Sequence, residues 1–87
     1  MAIYGNNFSV VFDGLLKRFN VTCYQIGKYT DLDQAYLSRL SSGAKTHPSP
    51  ETIMKISLAF ARLCDKITIH DLESLFRSVG LSLFRGR

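Results

Sequence analysis

In its 87 residues the chain has no tryptophan, two prolines, two cysteines and no apolar run long enough to cross a bilayer. Two cysteines cannot build the disulfide framework of a small secreted domain, and Cys23 and Cys64 lack the spacing of metal ligands. Both are expected as buried thiols in a reducing cytosol, where a disulfide between them would be unusual. The start, MAIYGNNFSVVF, lacks the basic stretch and small-residue cleavage site of a secretory signal, so a cytoplasmic protein is expected. Also missing are a glycine-rich phosphate loop, paired histidine ligands and a nucleophile–base motif. Cys64 and His70 would fall at the end of one helix and in the first turn of the next, which is poor placement for a catalytic pair. No enzyme, metal or cofactor is therefore expected. The length allows one domain with a modest core, too small to add an elaborate catalytic cleft.

What is present is a surplus of positive charge, 11 lysines and arginines against 7 acids, for a net charge of +4. This favours an anionic partner only weakly, so the pattern of residues has to carry the assignment.

That pattern is helical throughout, with no convincing strand. Phe8, Val11, Phe12, Leu15 and Phe19 recur at three- and four-residue steps and predict a first helix over about 8–18, capped by Ser9 or Asn7. Gly14 weakens it slightly. Thr22 is a good cap for a short second helix reaching about Tyr29, with Cys23, Ile26 and Thr30 facing inward. After a break at Thr30-Asp31-Leu32, Asp33 caps a third helix from Gln34 to about Ser41. Tyr36, Leu37 and Leu40 form its apolar side, while Gln34, Ala35, Ser38 and Arg39 fall largely on another face. Gly43 ends it, since the residue past a helix end often needs the left-handed conformation. Residues 44–48 read as a loop. Ser49-Pro50-Glu51 then supplies a cap, a proline at the first helical position and an acid in the first turn. The fourth helix runs to about Leu63 and buries Ile53, Ile56, Phe60 and Leu63. Thr68 caps a fifth, with Leu72, Leu75, Phe76 and Val79 as its stripe and Gly80 as its stop. Residues 1–80 are thus expected as one all-α, five-helix domain, followed by a tail over 81–87.

The informative stretch lies between Val21 and Gly43. Two short helices joined by a tight turn can cross steeply only if their backbones approach closely. Gly27 stands where the contact is needed, and Ile26, Leu32, Leu37 and Leu40 are spaced to anchor the pair on the core.

The segment TCYQIGKYTDLDQAYLSRLSSGAKTHPSPETIMKISLAFA resembles the Cro/C1-type (XRE-like) helix-turn-helix family of phage repressors and bacterial regulators. The resemblance rests on Thr22, Ile26-Gly27, Leu32, the run Tyr36-Leu37-Ser38-Arg39-Leu40, Gly43, and Ser49-Pro50-Glu51-Thr52. It covers about Phe12 to Ala61. It implies a lambda-repressor-like fold and a sequence-specific, double-stranded DNA-binding transcriptional regulator, a repressor acting as a homodimer.

It further implies that the start of the third helix enters the major groove. Gln34, Ala35, Ser38 and Arg39 would then meet base edges, Gln34 pairing with adenine, Ala35 touching a thymine methyl and Arg39 reaching guanine or a phosphate. Phosphate contacts would come from the helix start at Thr22 and from Lys45 and Thr46, with Lys28 and Lys17 as weaker candidates. His47 could add one, although packing of the loop suits it better.

Three positions depart from the family pattern. Cys23 replaces a glutamine that commonly buttresses the third helix, Asp31 replaces the glycine of the turn, and Ser41 replaces a frequent glutamate. The tail, LSLFRGR, carries Leu81, Leu83 and Phe84, which would pack either onto the domain's own core or onto a second copy. Family members commonly bind as two-fold dimers on half-sites about 34 Å apart. The alternative function is a protein-interaction module, such as an antitoxin or adaptor retaining the fold. The sequence offers no appended ligand-binding domain, so any signal is expected to arrive through a regulatory protein partner, proteolysis or concentration.

Overall fold

Five segments carry helical spacing and caps, and in the computed structural model, which describes residues 7–80, each forms a helix. They are α1 (Asn7–Phe19), α2 (Cys23–Thr30), α3 (Gln34–Ser42), α4 (Pro50–Leu63) and α5 (Ile69–Arg77), with no strand among the described residues. The expected tail contacts at Leu81, Leu83 and Phe84 lie outside the described residues. No described helix is long and apolar enough to cross a membrane.

The caps explain where the helices begin. Thr22 and Gln25 form a reciprocal capping box at α2, and Thr68 and Asp71 form another at α5. Asp33 accepts from the Tyr36 N–H at the start of α3, and Ser49 from the Thr52 N–H at the start of α4, where Pro50 needs no donor of its own. The expected cap of α1 is corrected. Asn7 and Ser9 both lie inside that helix, and Ser9 is buried. Phe8 has to be helical for its ring to meet Phe12 one turn on, at 5.5 Å between centroids, and this pulls the helix start upstream of Ser9.

The core forms where the helical stripes converge. Phe8, Phe12, Ile26, Leu37, Leu40, Ile53, Ile56, Phe60 and Leu75 are sealed from solvent. Phe12 meets Phe60 edge to face at 6.1 Å, which ties α1 to α4. Each such side chain contributes about 1.5–3 kcal/mol of burial. Val11, Phe19, Leu63, Leu72 and Val79, expected inside, are only partly buried at the rim of this cluster. Cys64 is buried but Cys23 only half so, and both are free thiols.

α1 packs on α3 and α5, α2 on α3 and α4, and α4 on α5. Arg18 of α1 donates to the Asp71 carboxylate of α5 at 3.1 Å. Desolvation pushes the Asp71 carboxyl up, but hydrogen bonds from Thr68 and the Arg18 charge outweigh it and hold it below the usual value. This contribution is in place at neutral pH and is lost as the pH falls through that lowered value.

The link between α2 and α3 is a tight turn. Asp31 adopts the left-handed conformation (φ 64°, ψ 13°), and its N–H donates to Gly27 O at 3.0 Å. The buried Thr30 hydroxyl donates to Ile26 O at 2.8 Å and accepts from the Leu32 N–H at 3.1 Å, so the turn has its own internal support. A Cβ at Gly27 would lie 3.1 Å from Leu32 O and 3.7 Å from Leu37 Cδ1. The close approach expected between two helices is therefore an approach of α2 to the turn backbone and to the first buried residue of α3.

The left-handed Asp31 is a measurable liability. Asp31→Gly is expected to raise stability by roughly 0.5–1 kcal/mol, because glycine takes this conformation without a Cβ clash. The check is a higher urea midpoint at unchanged slope. A lower midpoint would show that the Asp31 side chain stabilises the turn by more than the backbone conformation costs.

Candidate nucleic-acid interface

α3 has two unlike sides because Leu37 and Leu40 fix its inward face. With these two sealed in the core, Gln34, Ala35, Ser38, Arg39 and Ser42 are all exposed. Residues 34 and 38, 35 and 39, and 38 and 42 are one turn apart, so they form one continuous outward surface. Arg39 takes part in no salt bridge among the described residues, and neither Asp31 nor Asp33 neutralises it. The Asp33 carboxylate is instead committed to the start of α3.

The loop after α3 is anchored to the same helix. Arg39 O accepts from the Gly43 N–H and the Lys45 N–H, both at 3.1 Å, and from the Ser42 hydroxyl at 3.2 Å. Gly43 supplies the left-handed turn (φ 91°) that lets the chain fold back onto that carbonyl. Lys45 and Thr46 are thereby exposed beside the last turn of α3. His47 is exposed as well and lies 3.1 Å from the Thr46 hydroxyl through Nδ1. Pro48, not His47, is the loop residue that is buried.

At the start of α2 the capping box uses the Thr22 N–H and the Gln25 N–H. That leaves the next two helical donors, at Cys23 and Tyr24, as the ones without an intrahelical acceptor. Thr22 is exposed, but its hydroxyl is engaged with Gln25.

Cys23 opens α2 and Ser41 lies in the last turn of α3. Burial raises the Cys23 thiol, and the neighbouring Ser41 hydroxyl partly offsets this.

Two of the weaker candidates are placed differently. Lys17 pairs with Asp13 at 2.9 Å. Lys28 lies over the Tyr24 ring at 5.5 Å and lines a cleft with Gln25, Tyr29 and Leu63, none of which belongs to α3 or to its loop. Lys28 therefore lies away from the outward surface of α3 and the 44–46 loop, on the side of α2 that carries Tyr24 and Gln25. Ser42 belongs to the α3 surface and was missing from the sequence reading. Its position seven residues after Ala35 is the signal that could have found it.

No protein-family model matches the chain, and neither does any curated protein or any solved structure.

Proposed function

We propose that this chain is a lambda-repressor-like helix-turn-helix domain of the Cro/C1 type that binds double-stranded DNA sequence-specifically. It acts as a homodimer and regulates transcription, as a repressor. The observation that carries this reading is the solvent face of α3, where Gln34, Ala35, Ser38 and the unpaired Arg39 are presented together by a short, internally bonded turn. A nine-residue helix whose opposite side is locked in the core can enter a major groove as a rigid body.

Gln34 and Arg39 have the donor and acceptor geometry for adenine and guanine edges, Ala35 suits a thymine methyl, and Ser38 fits either kind of base. Lys45, Thr46 and the N–H groups at the start of α2 hold the flanking phosphates. They set orientation without reading sequence.

Selection of bound sequences from a pool of random duplexes tests the proposal directly. A palindromic consensus supports both DNA reading and a two-fold dimer. A single unrepeated half-site supports DNA reading but not the dimer. No enrichment at a salt concentration that preserves the fold removes the DNA function and leaves a protein-interaction module in its place.

A further inference from the structure

α4 carries a second outward feature that owes nothing to α3. Ile53, Ile56 and Phe60 make its buried stripe, yet Met54 and Leu58, one turn apart, lie off that stripe and are 43% and 60% exposed. Across from them at the end of α2, Tyr29 is 53% exposed. Leu58 and Tyr29 line one cleft of about 340 Å³ whose floor is Thr30 and Ala59 and whose edges are Lys55 and Arg62. A second cleft of about 370 Å³ begins on the other side of Tyr29 and reaches Lys28 and Leu63. The two clefts lie side by side between α2 and α4, with Tyr29 as the wall they share, and together they make up the α2–α4 groove.

The groove has an apolar floor and cationic edges. Lys28, Lys55 and Arg62 surround it, and no acid lines either cleft. The nearest compensation is Glu51, at 3.9 Å from Lys55 and itself well exposed. Arg62 forms no salt bridge among the described residues. The exposed Tyr29 and the unpaired Arg62 are of the residue types enriched among interface anchors, and Leu58 adds exposed apolar surface beside them.

We propose that the α2–α4 groove docks an acidic amphipathic helix of another protein. Its apolar ridge lies on Tyr29 and Leu58, and its carboxylates meet Lys28, Lys55 and Arg62. Charge selects this occupant over the others the chain could supply. A second copy would bring the same three cations against themselves, and like charges set face to face oppose association. Residues 81–87 carry two arginines and no acidic side chain, and residues 1–6 carry no acidic side chain at all. Nucleic acid would satisfy the cations but leave Tyr29 and Leu58 against phosphates. A helix laid in a groove with anchors at i, i+3, i+4 and i+7 satisfies both the floor and the edges.

The test titrates the full, ¹⁵N-labelled chain with a synthetic helical peptide of about 20 residues bearing a leucine ridge flanked by glutamates. A second peptide with every glutamate replaced by lysine serves as the comparison. The expected result is saturable binding with a dissociation constant of about 1–300 μM. Amide shifts should be confined to the neighbourhood of Tyr29, Lys55, Leu58 and Arg62, and the lysine peptide should bind at least about tenfold more weakly. Leu58→Glu, at an exposed position, should keep the helical spectrum and lower the affinity at least about tenfold. Arg62→Ala should flatten the salt dependence. Equal binding of both peptides overturns the proposal, as do shifts centred on α3 or no saturation at millimolar peptide. It is also overturned if the chain sediments as a dimer that Leu58→Glu converts to monomer, because a second copy would then own the groove.

Discussion

Gln34→Ala is expected to relax base discrimination at one position of the operator and to cost roughly 1–3 kcal/mol on the preferred site, about tenfold to a hundredfold in affinity, with far less change on random DNA. The argument starts from what the side chain does in the free protein. Gln34 is exposed in the first turn of α3, which Asp33 caps, so its replacement leaves the helix intact. A surface change of this kind alters stability by no more than about 0.5 kcal/mol. Any large loss of binding is then a loss of contacts to DNA. Arg39→Ala should behave in the same way, because the loop after α3 hangs on the Arg39 carbonyl and not on its guanidinium. Lys45→Ala supplies the contrast. Lys45 is anchored by its own backbone and presents only a charge, so its loss should weaken binding to every sequence and reduce the salt slope by about one. Fluorescence anisotropy on the selected site and on random duplex, at several salt concentrations, separates the two behaviours. If Gln34→Ala loses equally on both DNAs, Gln34 is not a base reader. If Lys45→Ala leaves the slope unchanged, Lys45 leaves the phosphate set.

The parts of this molecule legible in the sequence are those decided locally. Thr22, Asp33, Ser49 and Thr68 cap four helices because a side-chain oxygen reaches a backbone N–H within one turn, and no distant residue is needed. Gly43 could be read for the same reason. The surface of α3 was legible too, since burying Leu37 and Leu40 forces Gln34, Ala35, Ser38 and Arg39 outward.

What failed depends on packing. Ser9 has the chemistry of a cap but lies inside α1, where the Phe8 and Phe12 rings meet one turn apart, and it is buried. Ser57 and Ala59 are buried on α4 because that helix is covered on two sides, by α2 and by α5, which widens its inward face beyond the stripe of Ile53, Ile56 and Phe60. The α2–α4 groove was invisible for a related reason. Leu58 lies outside the stripe of Ile53, Ile56 and Phe60, and only the position of α2 shows that nothing among the described residues seals it.

Gly27→Val is expected to destabilise the fold by about 2 kcal/mol, whereas Gly27→Ala should stay within about 0.5 kcal/mol of the unmodified chain. A Cβ at this position sits 3.1 Å from Leu32 O, tight but tolerable if the turn shifts by a few tenths of an ångström. For alanine that strain is set against a gain of about 1 kcal/mol in helix propensity, and the two nearly cancel. Valine keeps less of the propensity gain and adds two methyl groups. These have to go towards the Leu32 carbonyl or towards Leu37, which is sealed in the core. The carbonyl cannot swing away freely, because the Leu32 N–H is held by the Thr30 hydroxyl and Asp31 is already in a strained conformation. The remaining response is for α2 and α3 to separate, which uncovers Leu37 and tilts the outward surface of α3 relative to the start of α2. Thermal unfolding should therefore show a midpoint lower by about 10 °C for valine and close to unchanged for alanine. If α3 reads DNA as proposed, valine should also lose more affinity than its folded fraction accounts for, since the N–H groups at the start of α2 and the outward face of α3 no longer hold a common register. Equal stability of the two variants would mean that the helix pair opens without cost. The tight turn would then not be what fixes the placement of α3.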